Sequence, residues 1–243
     1  MRGSRQDCAT AHVLDDMTMH PLDNPVWASL HSDHAALALT AGKVARYPSE
    51  IAPFVATGGR DAAAGVDAES LVGEGELVCF VGLAPPLSAA WRVEQSVPIA
   101  QMTCATRLEV AAGPAVTELS AERPDDMLAL TALVYPHYFR AQTTRMGRYI
   151  AIYDGSRLAA MAGERMRFSG HQEISAVCTD PDYVGRGYAQ RLVAILTNDI
   201  VAGGRLAFLH VSHENLRAKR LYERLGYASR ADIALLAVTR LAG

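Results

Sequence analysis

Basic excess is missing from this 243-residue chain. It carries 23 basic and 26 acidic side chains, a net charge of −3, and no basic run interleaved with aromatics. Nucleic acid is therefore not expected as a main partner. Cysteine is scarce as well. Cys8, Cys79, Cys104 and Cys178 have no paired spacing and three of them lie in apolar runs, which points to buried thiols in a reducing compartment rather than to disulfides or zinc. His31 and His34 sit three apart without an evident third ligand, so no metal is expected. Every apolar run is too short or too interrupted to span a bilayer, and the opening residues, which include Arg2, Arg5, Asp7, Asp15 and Asp16, lack the apolar core of a secretory signal. The expectation is a soluble, cytoplasmic protein without a membrane partner, in which Met17 or Met19 is an alternative start and residues 1–20 form a disordered extension. No later region combines low hydrophobicity with high charge, and half of all residues are hydrophobic, enough for a sizeable core.

Two stretches carry chemistry. Val184-Gly185-Arg186-Gly187-Tyr188-Ala189 lies between an apolar run ending near Cys178 and an amphipathic run starting at Gly187, where a strand turns into a helix. A helix start offers unpaired N–H groups and the positive end of the dipole, and glycine lets a phosphate approach the backbone. Alone, such a turn is more often an ordinary connection. Further on, Asn215-x-x-Ala218-x-x-Leu221-Tyr222-x-x-x-Gly226-Tyr227 follows an apolar strand at 208–211.

In order and spacing these stretches, with Glu173-Ile174-Ser175-Ala176-Val177-Cys178-Thr179 before them, resemble the GNAT acetyltransferase superfamily over 116–241. The resemblance is closest to the branch with glycine N-acyltransferase-like C-terminal domains. It implies an α/β fold, a mixed and mostly antiparallel sheet with helices on both faces, and acetyl-CoA as the acyl donor with no metal. Backbone groups of Val177, Cys178 and Thr179 would bind the pantetheine arm as an added strand. Gly185, Arg186, Gly187, Tyr188 and Ala189 would hold the pyrophosphate, with Val184 where many members have Gln or Arg, a change its backbone role tolerates. Asn215 would touch the pantetheine arm besides capping its helix. Arg217, Lys219 and Arg220 form a basic run suited to the 3′-phosphate of coenzyme A or simply to solvent. Tyr222 occupies the general-acid position. A phenol with a pKa of about 10 protonates a thiolate of about 8.5 only if bound geometry assists.

Glu173 lies eleven residues before Val184, the separation of the catalytic glutamate in histone-acetylating relatives. At a strand edge in a closing pocket its pKa would rise and let it take the amine proton. A water relay, His171 and His210 stay open as alternatives. Cys178 as an acyl-carrying nucleophile would need an adjacent base. The function implied is direct acetyl transfer from acetyl-CoA to an amine, on a small molecule or a peptide. The alternative is an acyl-CoA-binding regulatory module without transfer, and a homodimer is compatible with either. A dinucleotide site fails for want of the third glycine and the later acidic residue.

The chain divides near 105–115. The part over 21–110 reads as a smaller α/β domain, a helix over 21–40 followed by apolar runs at 51–56, 77–83 and 97–105, and is a candidate degenerate copy of the same fold. The part over 111–243 reads as the catalytic domain, with a strand at 116–119, a helix at 125–135, a hairpin turning at Asp154-Gly155, a strand at 174–179, the helix after the loop, a strand at 208–211, the helix at 215–225 and a last strand at 233–238. The acceptor would be chosen by the first part and by 136–148 and 164–170, which hold no readable code.

Overall fold

The computed structural model describes residues 19–119, 124–134 and 138–242. Cys8 and residues 1–18 of the expected extension lie outside them. The first element departs from expectation. In place of one helix over 21–40, a 3-10 turn at Pro21–Asp23 leads to α1 (Pro25–Leu30), and a second 3-10 turn follows at Ala35–Leu37. The helix stops because polar groups satisfy its last carbonyls. Ser32 Oγ donates to Ala28 O at 2.6 Å and the His34 N–H to Ser29 O at 3.0 Å. His34 then turns inward to place Nδ1 2.9 Å from Tyr47 Oη. Trp27, Leu30, Leu37 and Ala38 still reach one core, from separate short segments.

The first half continues through β1 (Leu39–Ala41), β2 (Val44–Arg46), β3 (Phe54–Thr57), α2 (Ala62–Leu71), β4 (Leu77–Val81) and β5 (Trp91–Cys104). The second contains β6 (Thr117–Glu118), α3 (Pro124–Val134), β7 (Tyr149–Asp154), β8 (Arg157–Phe168), β9 (His171–Thr179), α4 (Tyr188–Ala202), β10 (Leu206–Ser212), α5 (Leu216–Leu225) and β11 (Ala228–Arg240). β7 and β8 form the expected hairpin, Asp154 opposite Arg157. The apolar stripe of α4, with Leu192, Val193, Leu196 and Ile200 buried, ends at Gly203.

Among the described residues these strands make a single 11-stranded sheet in the order β1-β2-β3-β4-β11-β5-β10-β9-β8-β7-β6. Neighbours are antiparallel except for β3 with β4 and β9 with β10. Each parallel pair is bridged by a helix, α2 in the first half and α4 in the second. The halves thus repeat one order of pairing, and they exchange their last strands. β5 leaves its own half to pair with β10, and β11 crosses back to pair with β4. β5 and β11 lie side by side along most of their length in the middle of the sheet. Helices cover both faces, α4 and α5 over a core that includes Ala100, Met102, Leu209 and Val211, and α1 over one that includes Ile99, Phe208, Ile233 and Leu235.

One irregularity opens the sheet. β9 and β10 pair at three positions, Leu206 with His171, Ala207 with Gln172 and Phe208 with Glu173, and then diverge. A bulge in β9 falls between the pairs Gly163–Ser175 and Met161–Cys178. Ala176 lies within it at φ +50°, in the left-handed region that alanine seldom adopts. A bulge bends its strand, and here it turns the second half of β9 away from β10.

Candidate functional site

The split between β9 and β10 holds two cavities that meet at Tyr222. The larger, about 360 Å³, is bordered by Thr179, the loop residues Gly185, Gly187, Tyr188 and Ala189, and Asn215, Ala218 and Tyr222 of the α5 segment. The smaller, about 240 Å³, includes Val97, Arg165, Ile174, His210 and Leu235 in its walls. Val134, Val177, Asn215, Ala218 and Tyr222 border both.

The loop is built to leave amides free. Gly185 and Gly187 stand at φ +91° and +77°, and a Cβ on either would meet nothing within 4 Å. These glycines are therefore required by backbone conformation, and the space beside them is open. Gly187 is the N-cap of α4 and supplies no side-chain cap, so the first amides of a 15-residue helix point outward with the positive end of its dipole. The equivalent helix of the first half is closed. Asp61 caps α2, its Oδ1 accepting the Ala64 N–H at 3.0 Å. A carboxylate already occupies the place where an anion would bind.

The α5 residues arrive at the split through a conventional cap. Asn215 Oδ1 accepts the Ala218 N–H at 3.0 Å, and Asn215, Ala218 and Tyr222 then share the face turned to the cavities. Tyr222 is 6% exposed, at the junction. Arg217, a member of the basic run weighed for the 3′-phosphate, borders the larger cavity, and so does Arg224, which the sequence did not single out. The signal for Arg224 was its place on one helix face with Arg217 and Leu221, four residues before and three after Leu221. Lys219 and Arg220 of the same run are not in the cavity wall. Arg186 turns its guanidinium back over the Tyr183 ring, 4.6 Å from the centroid, so the loop presents its backbone and not that charge. Val177 and Thr179 border the larger cavity. The Cys178 side chain points the other way into a cluster with Met161 and Leu130, and burial pushes its thiol up to about 12. Such a thiol is no acyl-carrying nucleophile.

Glu173 requires a correction. It is fully buried, not at a solvated edge. Arg165 Nε and Nη2 donate to its two carboxylate oxygens at 2.7 and 2.6 Å, His210 Nδ1 lies 2.8 Å from Oε1, and the Met166 N–H donates to Oε2 at 3.3 Å. Burial alone would raise its pKa, but the Arg165 charge and hydrogen bonds, with those of His210, outweigh it and bring the group to about 2. The shift runs opposite to what a proton acceptor near neutrality needs. His210 is held too. Gln101 Nε2 lies 3.0 Å from His210 Nε2 and donates to Leu22 O, while Gln101 Oε1 accepts from Arg230 Nη1. The amide orientation is thereby fixed, so His210 accepts at Nε2 and donates from Nδ1. His171 hydrogen-bonds Ser169 O and stacks on Phe168, outside both cavity walls.

No group of three metal-binding side chains occurs among the described residues, and no described helix is long and apolar enough to cross a membrane.

The family described as FR47-like protein matches residues 149–234, from β7 into β11. A crystal structure from Novosphingobium aromaticivorans DSM 12444, assigned to the GNAT family, is 34% identical over 92% of this chain and 100% of that one, with a TM-score of 0.83. A GCN5-related N-acetyltransferase from Kribbella flavida shares the fold at 19% identity and a TM-score of 0.62, over 93% of this chain and 97% of its own. So does a GCN5-related N-acetyltransferase-like protein from Streptococcus suis 89/1591, at 14% identity, 90% and 95% coverage and a TM-score of 0.55. Among curated proteins, none matches.

Proposed function

The chain belongs to the GNAT family of acetyltransferases, and from that premise we propose that it moves an acetyl group from acetyl-CoA directly to the nitrogen of an amine. The observation that carries this reading is the meeting of two cavities at one hydroxyl-bearing side chain, Tyr222. Acetyl-CoA supplies the thioester carbonyl and the thiolate leaving group. The uncapped Gly187 and the empty space beside Gly185 and Gly187 support placing its pyrophosphate at the open amides that start α4. Arg217 and Arg224 add positive charge along the same cavity. The free edge of β9 beyond Glu173 offers Val177 and Thr179 backbone groups to the pantetheine arm.

In this reading Tyr222 donates a proton to the sulfur as the C–S bond breaks, while the amine nitrogen reaches the carbonyl from the smaller cavity. Glu173 holds Arg165 and His210 in place and takes no proton. The amine therefore attacks in its neutral form and releases its proton to solvent. The branch with glycine N-acyltransferase-like domains remains part of this proposal as a relation of the C-terminal half. Calorimetry with acetyl-CoA, followed by thiol release in the presence of an amine panel, tests the assignment. Binding and amine-dependent release are expected. Binding without any release would leave only the acyl-CoA-binding module.

A further inference from the structure

We infer that the acceptor is a small primary amine bearing one apolar group, branched or aromatic, and no second cation. The inference rests on the transferase reading above and follows from the walls of the smaller cavity. Phe54, Val81, Val97, Ile99 and Leu235 line it from the first half and from β11, and Tyr138 adds a ring stacked 6.3 Å from Phe54. Among the described residues its wall contains no carboxylate. Its charged or titratable side chains are Arg165, His210, Tyr138 and Tyr222. Arg165 is neutralised by the bidentate Glu173 behind it and lies 4.7 Å from the Phe54 ring centroid. Both His210 nitrogens are engaged. A polyamine, an aminosugar with several amines or a lysine side chain beside a free α-amine would bring a second ammonium into a site with no anion to receive it, and burying an unpaired charge is costly. An apolar group gains from the same walls. The volume agrees. A cavity of about 150 Å³ holds a benzene ring, so about 240 Å³ takes one ring or one branched chain beside the amine.

Thiol release from acetyl-CoA is measured with 2-phenylethylamine, 3-methylbutylamine, phenylalanine, putrescine, spermidine and lysine, together with acetyl-CoA affinity by calorimetry. The apolar monoamines, as free amines or as the amino acid, are expected to exceed the diamines and lysine in kcat/KM by about ten- to a hundredfold, the range one buried apolar group provides. Comparison of 2-phenylethylamine with phenylalanine separates a free amine from an amino acid. Gln95 is exposed and lies in the same wall, so Gln95→Glu adds a carboxylate without disturbing the core. It should raise kcat/KM for putrescine several-fold at unchanged acetyl-CoA affinity. Putrescine, spermidine or lysine equal to the apolar monoamines in the wild type would overturn the inference and leave acetyl transfer standing. No gain in Gln95→Glu would overturn the placement of the acceptor in this cavity. Bound acetyl-CoA with no release by any amine would overturn the transferase reading itself, and this inference with it.

Discussion

At the scale of the residue, the hydroxyl of Tyr222 and the carboxylate of Glu173 have opposite kinds of importance. Tyr222 sits at the junction of the two cavities, and in the proposed reaction its hydroxyl acts on charge that develops only as the thiolate leaves. Tyr222→Phe is expected to lower kcat by about a hundredfold or more, while acetyl-CoA affinity measured by calorimetry changes by less than about twofold. Glu173→Gln should instead strike stability. It leaves Arg165 buried beside a neutral amide, a loss of about 3–5 kcal/mol for a broken buried pair, read as a lower urea midpoint. Because the folded pKa is depressed to about 2, the carboxylate's contribution is full above the unfolded value of about 4.3 and is lost as pH falls from there towards 2. The urea midpoint of the wild type should decline over that window, and the Gln variant should lose that part of the decline. Its rate profile should keep the acidic limb, which belongs to the acceptor amine. His34 follows the same sign for a different reason. Desolvation depresses its imidazole to about 4 from an ordinary value of 6.5, so its contribution is full above 6.5 and lost as pH falls towards 4. His34→Gln should flatten the fall in Tm between those values.

At the scale of the element, the loop and first turn of α4 separate this half of the molecule from the other. Gly187→Glu would place a side chain and a negative charge against the open amides, as Asp61 does at α2. Calorimetry is expected to show loss of acetyl-CoA binding by Gly187→Glu but retention by Gly187→Asn, which carries the same strain at φ +77° without the charge, and unchanged affinity of the Glu variant would remove the pyrophosphate from this loop. The loop and the Asn215–Tyr222 face were legible in the sequence because each rests on local rules, a glycine turn before a helix and a capped amphipathic helix. The strands from β7 to β10 were legible for the same reason. The break in 21–40 was not, because His34 is drawn inward by Tyr47, a partner distant in sequence. Nor was α2, whose buried face is only Ala64, Gly65 and Ala68 and carries little apolar periodicity. Glu173 misled because strand position says nothing about Arg165, His210 and the Met166 amide converging on one carboxylate.

At the scale of the whole molecule, the boundary near residue 110 falls inside one continuous sheet. β5, from before it, lies between β10 and β11, from after it. A fragment of residues 111–243 should therefore fail to fold as a soluble monomer, since β10 and β11 would each present a long unpaired edge where β5 belongs. Co-expression with residues 19–110 should restore a soluble complex, visible as co-elution on gel filtration. The same exchange of strands sets an order on synthesis. The strand that joins β4 and β5, β11, begins more than a hundred residues after β5 ends. Until it and β10 arrive, the nascent first half carries one open edge of β4 and both edges of β5, so early-made chain waits on late-made chain, and its solubility during that interval depends on whatever shields those edges.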